Sequence, residues 1–119
     1  MRDLIKALKA LSDEIRLRII NLLLERECCV CEVMQALNIS QTRASRNLSI
    51  LYDAGFLKLR KEGLWSLYSI DRAGMPEPFM KLIEAAEKAL AGNATLARDK
   101  ENLLKAERVG PSCVRQIKK

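Results

Sequence analysis

Between Val30 and Gly55 two helical periods stand almost end to end, and this spacing constrains the fold more than any other feature of the chain. Val30, Val33, Met34 and Leu37 follow the i, i+3, i+4, i+7 spacing of a short amphipathic helix, which Asn38 is suited to end. Ser40 is a good cap for a second helix running through Tyr52 and stopping at Gly55. Only about three residues join the two, the length of a helix-turn-helix connection. Directly behind, Phe56-Leu57-Lys58-Leu59-Arg60 alternates apolar and basic residues, as a half-buried strand does. Lys61-Glu62-Gly63 reads as a turn and Leu64 to Ile70 as the returning strand.

A hairpin attached behind a helix-turn-helix is a wing, so the expected fold is mainly α with a small β-hairpin, a winged helix-turn-helix. Composition agrees: aromatic residues are only 4% of the chain against 49% hydrophobic, so Leu, Ile, Val and Ala must build the core, which favours helices. Upstream, residues 3–11 place Leu4, Ile5, Leu8 and Leu11 on one helical face. Ser12 is placed to cap a second helix, with Asp13 and Glu14 at its first turn. Ile15, Leu17, Ile19, Ile20, Leu22, Leu23 and Leu24 make that helix apolar nearly all round, which predicts a central position. Downstream, Asp71 to Pro78 is a breaker-rich loop, and Phe79, Leu82, Ile83, Ala86 and Leu90 mark another amphipathic helix. Gly92-Asn93 is a weak point before a further helical stretch from Leu96 to Ala106, which leaves open whether 79–106 is one helix or two. The expected organisation is one DNA-binding and dimerisation domain over 1–106, followed by a flexible C-terminal tail over 107–119.

The net charge of +6 points to an anionic partner. Basic residues concentrate in 43–61 and at the C-terminal end. On the helix after Ser40, Ala44, Leu48 and Leu51 lie within about 60° of one another and face the core. Thr42, Arg43, Ser45, Arg46 and Ser49 then occupy the outer face and flanks, with Gln41 at the exposed first turn. Such side chains hydrogen-bond base edges and phosphates in the major groove. In the hairpin, Lys58, Arg60 and Lys61 suit phosphate contacts. A polar face alone proves nothing. Together with the short turn, the basic hairpin and the charge, it makes double-stranded operator DNA the expected partner. Modules of this size usually act as symmetric dimers, so a homodimer is expected, with the apolar faces of the first and the 79–90 helices as candidate interfaces.

No run approaches the roughly 18 apolar residues of a membrane span, and the charged start lacks a signal-peptide core. A cytoplasmic protein with reduced thiols is expected. Three of the four cysteines fall in Cys28-Cys29-Val30-Cys31, a poor disulfide framework that favours metal binding or redox sensing. There is no histidine, which removes the commonest metal ligand. Extending the 30–37 helix back through the cluster puts all three cysteines off the apolar stripe. On that helix Cys29 and Cys31 stand about 200° apart and Cys28 and Cys31 about 60°. A three-thiolate site at Cys28, Cys29 and Cys31 therefore requires a distorted first turn. Soft thiolates suit As(III) or Sb(III), cadmium, lead or Cu(I); zinc needs a fourth ligand such as Cys113, a carboxylate or water.

Along roughly residues 3 to 90 the chain resembles the ArsR family of winged-helix metalloregulatory repressors. Carrying the resemblance are Cys29-Val30-Cys31-Glu32, Ser40-Gln41, Ser45-Arg46-Asn47-Leu48, Asp53-Ala54-Gly55 and the hairpin through Gly63 to Tyr68. It implies an arsenite- or antimonite-responsive repressor in which the Cys29/Cys31 pair captures the inducer and the operator is released. The family's arsenic sensors often carry a third cysteine where this chain has Met34, which leaves Cys28 or Cys113 as the third ligand. Asn47 stands where histidine is common, and the resemblance implies that the histidine sites of zinc-sensing relatives are absent. The same cysteines would also serve a cadmium, lead, zinc or redox sensor. Cys28-Cys29-Val30-Cys31 also spells the C-x-x-C of thiol oxidoreductases. That chemistry expects a βαβ setting and a depressed thiol pKa, and the nearby Glu25, Glu27 and Glu32 oppose the latter, so no enzyme is expected.

Overall fold

A computed structural model describes residues 1–109. In chain order the elements are α1 (Arg2–Leu11), α2 (Glu14–Glu25), β1 (Cys28–Cys29), α3 (Val30–Leu37), α4 (Gln41–Asp53), β2 (Leu57–Glu62), β3 (Trp65–Ile70), α5 (Glu77–Ala89) and α6 (Ala94–Lys105). This is the mainly helical, hairpin-bearing architecture expected from the spacing.

The ends of the elements follow from local chemistry. Asp13, not Ser12, caps α2: its carboxylate accepts from the amide of Arg16 at 3.1 Å. Ser12 closes α1 instead, its hydroxyl donating to the Lys9 carbonyl at 3.1 Å. Two helices abut here, and the carboxylate is the better partner for a positive helix start. Asn38 ends α3 in the left-handed region, at φ 57°. Ser40 caps α4 by accepting from the Arg43 amide at 3.2 Å. Asn93 breaks the last helical stretch in two, capping α6 through the Leu96 amide at 3.1 Å.

The core is aliphatic. Ile19, Leu22, Leu48, Leu51, Phe56 and Ile83 are fully buried, and α2 runs through their midst as its all-round apolarity predicts. Half-buried Arg18 and fully buried Asp99 pin α2 to α6 through two 2.8 Å bonds. On α1 the buried residues are Ala7 and Ala10, whereas Leu4, Ile5 and Leu8 are 46%, 44% and 46% exposed. The apolar face of α1 therefore points away from the fold rather than into it.

The sheet holds one more strand than the hairpin. Its order is β1-β3-β2, both pairings antiparallel, with Cys28 opposite Tyr68 and Cys29 opposite Leu67. Glu62 pairs with Trp65, so the hairpin turn is Gly63-Leu64, with Gly63 at φ 61°, and the returning strand starts one residue later than the alternation suggests. Beyond Leu57 every residue of β2 is exposed, so this strand projects as a wing.

Candidate functional site

On α4, Ala44, Leu48 and Leu51 face the core. Gln41, Thr42, Arg43, Arg46 and Ser49 are exposed, and Ser45 is half-buried on the flank. The helix is held in place from behind. Arg16 of α2 donates to the Asn47 side-chain oxygen at 2.9 Å and to the α1 carbonyls of Ala10 at 2.6 Å and Lys9 at 3.3 Å. Asn47 in turn donates to the Arg43 carbonyl at 2.8 Å. One guanidinium thus joins the end of α1 to the middle of α4. Its contact with Asn47 spans 31 positions, and no short-range signal marks it in the sequence.

The three basic wing residues differ in availability. Lys58 is exposed. Lys61 donates to the Ser66 hydroxyl at 2.8 Å. Arg60 is already engaged, with its Nε 3.0 Å from Glu27 and its Nη1 2.9 Å from Glu62. The hydrogen bond from Arg60 holds the Glu27 carboxyl below its usual range, and the two carboxylates raise Arg60. Arg60 therefore ties the wing to the residues just before β1 as well as facing solvent.

The cysteines lie where the chain changes from strand to helix. Because Cys28 and Cys29 are extended, their side chains point to opposite sides. Cys28 enters the main core, while Cys29 joins Cys31 and Leu67 in a second buried cluster against which Trp65 and Val109 pack. Cys29 is the N-cap of α3, and Glu32 closes a capping box by accepting from the Cys29 amide at 2.9 Å. The Cys29 and Cys31 sulfurs are joined as a disulfide, with Cα atoms 5.5 Å apart.

This corrects the expectation that the cysteines avoid the core: their exposures are 0%, 1% and 2% for Cys28, Cys29 and Cys31. Helical arithmetic fails because α3 begins only at Val30. The strand conformation of Cys29 brings its sulfur to Cys31 and separates both from Cys28, the reverse of the pairing that a continued helix predicts. Burial pushes the Cys28 thiol up to about 12 and outweighs the opposing pulls of Arg26 and Arg108. Among the described residues no three Cys, Asp or Glu side chains are grouped to hold a metal ion. Cys113 lies outside the described residues.

Glu32 is the polar hub of the site. It is buried, accepting from Arg26 at 2.9 Å and Arg108 at 3.0 Å besides the Cys29 amide. The pairing of a buried carboxylate with two guanidinium groups satisfies both its oxygens. Nothing local in the sequence identifies Arg108 as a partner, since it lies 76 positions away.

A winged helix-turn-helix with a cysteine pair at the start of α3 has close relatives. The profile described as bacterial regulatory protein, arsR family, matches residues 13–59. The arsenical resistance operon repressor of Escherichia coli is 40% identical over 100 residues, covering 79% of this chain and 85% of that protein. The chain belongs to the ArsR family.

Its ArsR relatives also include a Staphylococcus aureus protein named as a cadmium resistance transcriptional regulatory protein CadC homolog, 41% identical over 85 residues, or 71% of this chain and 67% of that one. Reduced HlyU from Vibrio cholerae superposes with a TM-score of 0.65 at 28% identity, over 76% of this chain and 90% of that one. The homodimeric winged helix-turn-helix DNA-binding domain of a possible ArsR-family regulator from Mycobacterium bovis gives 0.65 at 27% identity, over 78% and 82%. These are transcriptional regulators. None of the described helices is long and apolar enough to cross a membrane.

Proposed function

We propose that this ArsR-family protein is a cytoplasmic, homodimeric repressor that binds operator DNA through α4 and the wing and is released by As(III) or Sb(III). The observation that carries the reading is the place of Cys29 and Cys31, at the first turn of the helix preceding α4 and on a strand paired with the wing. Chemistry there acts on both DNA-contacting elements. The names of the relatives from Escherichia coli and Pseudomonas putida, all arsenical or arsenic resistance regulators, support arsenic as the inducer. The exposed stripe of Leu4, Ile5 and Leu8 supports α1 as part of the dimer interface.

Once reduced, Cys29 and Cys31 supply two soft thiolates side by side. Cys28 completes a three-sulfur set only if β1 leaves β3, because its side chain points to the other side of the strand. That ladder is two residues long, so its loss is inexpensive relative to a metal–thiolate bond. Detachment of β1 also moves Glu27 away from Arg60 and frees the first turn of α3. The inducer thereby favours a state in which α4 and the wing no longer match successive grooves, and its differential affinity for that state sets the release.

A redox reading of the same pair is favoured by one observation, the Cys29–Cys31 bond itself. The test is a titration of the DNA complex, on the chain's own promoter region, with arsenite, antimonite, cadmium, zinc and peroxide in parallel. Release by arsenite and antimonite at the lowest concentrations supports the proposal. Release by peroxide alone transfers the pair to redox sensing, and release by none removes the cysteines from the mechanism.

A further inference from the structure

The Cys29/Cys31 pair is covered by a part of the chain that the sequence assigns to the tail. Ala106 leaves α6 in an extended conformation, and the three residues after it run along α3. Gln35 holds Glu107 like a strand partner: its side-chain amide donates to the Glu107 carbonyl at 2.8 Å and accepts from the Glu107 amide at 3.1 Å. Arg108 reaches Glu32 at 3.0 Å. Val109 then packs on the cluster of Cys29, Cys31 and Leu67. The same Gln35 amide also donates to the Cys31 carbonyl at 3.0 Å, so one side chain grips the strap and the cysteine helix together.

The strap is weakly held in comparison with what it covers. Glu107 is exposed and Arg108 and Val109 are half-buried, whereas the other walls of the pair are the fully buried Leu67, the half-buried Trp65 held in the β3 ladder, and the helix and strand that carry the cysteines. Segments with few buried apolar contacts open at far lower free energy than the core. We propose that residues 106–109 form a removable cover on the thiol pair: reagents reach Cys29 and Cys31 when the strap undocks, and a group bound to the two sulfurs holds it undocked. The first half concerns access and stands whatever the inducer is. The second rests on the function proposed above, with Val109 and the bound group competing for one space. Linkage then requires that weakening the strap strengthens capture by the same factor. Cys28, whose side chain enters the main core on the other side of β1, is the internal reference: Val109 packs on the separate cluster of Cys29 and Cys31, and Ala106, which meets the main core, is unchanged in both variants below.

The experiment is alkylation of the full chain, reduced with a phosphine and treated with N-ethylmaleimide, with each modified cysteine located by tandem mass spectrometry. In Gln35→Ala, and independently in Arg108→Ala/Val109→Ala, the rates at Cys29 and Cys31 are expected to rise by about tenfold, the effect of one to two lost hydrogen bonds on an opening equilibrium. The rate at Cys28 is expected to stay slow. Unchanged rates at Cys29 and Cys31 in both variants overturn the cover, as does an equal rise at Cys28, which would mean general loosening. Arsenite titrated into the same variants reads the second half: tighter capture supports the competition and unchanged capture overturns it. If arsenite fails to bind any form, the inducer assignment falls while the alkylation rates still decide the cover.

Discussion

Cys29 stands opposite Leu67 in the β1–β3 ladder, and the two side chains share one buried cluster. The thiol pair and the wing are therefore built on the same strand, since β2 lies on the other edge of β3. In the other direction, Cys29 caps α3, which leads through Asn38 and Ser40 into α4. A change of state at one cysteine has two short routes to the proposed DNA-contacting surface of α4 and the wing, and neither requires a long chain of contacts.

The wing cations should differ in what they contribute to DNA binding. Lys58→Ala is expected to lower the slope of log affinity against log salt by about one, as loss of a free phosphate contact does. Arg60→Ala should change the slope less, because Arg60 already neutralises Glu27 and Glu62. Fluorescence anisotropy across a salt series reads both. Arg46→Ala, on the exposed face of α4, should match or exceed Lys58→Ala.

Arg16→Ala should weaken DNA binding without removing a DNA contact. The substitution frees Asn47 and unfastens α4 from the end of α1. Affinity is expected to fall while the salt slope stays within error of the parent. A parallel fall of the slope would place Arg16 on a phosphate instead.

The bond between Arg18 and Asp99 is the most buried ion pair described. Asp99→Ala leaves a largely buried guanidinium without its carboxylate and should cost about 3–5 kcal/mol of stability in urea unfolding. Lys100→Ala, one position on, loses only an exposed pair with Glu25 and should stay near the parent.

Much of this fold is legible in the sequence, for a physical reason. Val30 to Leu37 and Ser40 to Asp53 carry their periodicity and caps within a few positions, so spacing alone sets both helices and the short turn between them. The alternation from Phe56 to Arg60 similarly announces the wing. What escapes is information held by distant partners. Cys28 and Cys29 become a strand because Tyr68 and Leu67 lie opposite them, and that pairing reverses which two cysteines meet. Arg16 with Asn47, Arg108 with Glu32 and Gln35 with Glu107 likewise join positions far apart. The face of α1 is apolar in sequence whether it packs inward or outward, and only the fold shows Leu4, Ile5 and Leu8 outside.

That exposed stripe gives a prediction about assembly. Leu4→Asp/Leu8→Asp places charge on an apolar face without touching Ala7 or Ala10, the residues α1 buries in its own fold. Sedimentation should shift from dimer to monomer, with helical content by circular dichroism retained. A dimer that survives the substitutions would place the interface elsewhere.

The central claim is that the Cys29/Cys31 pair is the switch, and the most direct measurement is arsenite titration of the reduced operator complex in three variants. Cys29→Ser/Cys31→Ser is expected to bind DNA like the parent and to ignore arsenite. Cys28→Ser should respond at higher arsenite than the parent, and more so than Cys113→Ser. A normal arsenite response from Cys29→Ser/Cys31→Ser would contradict the account.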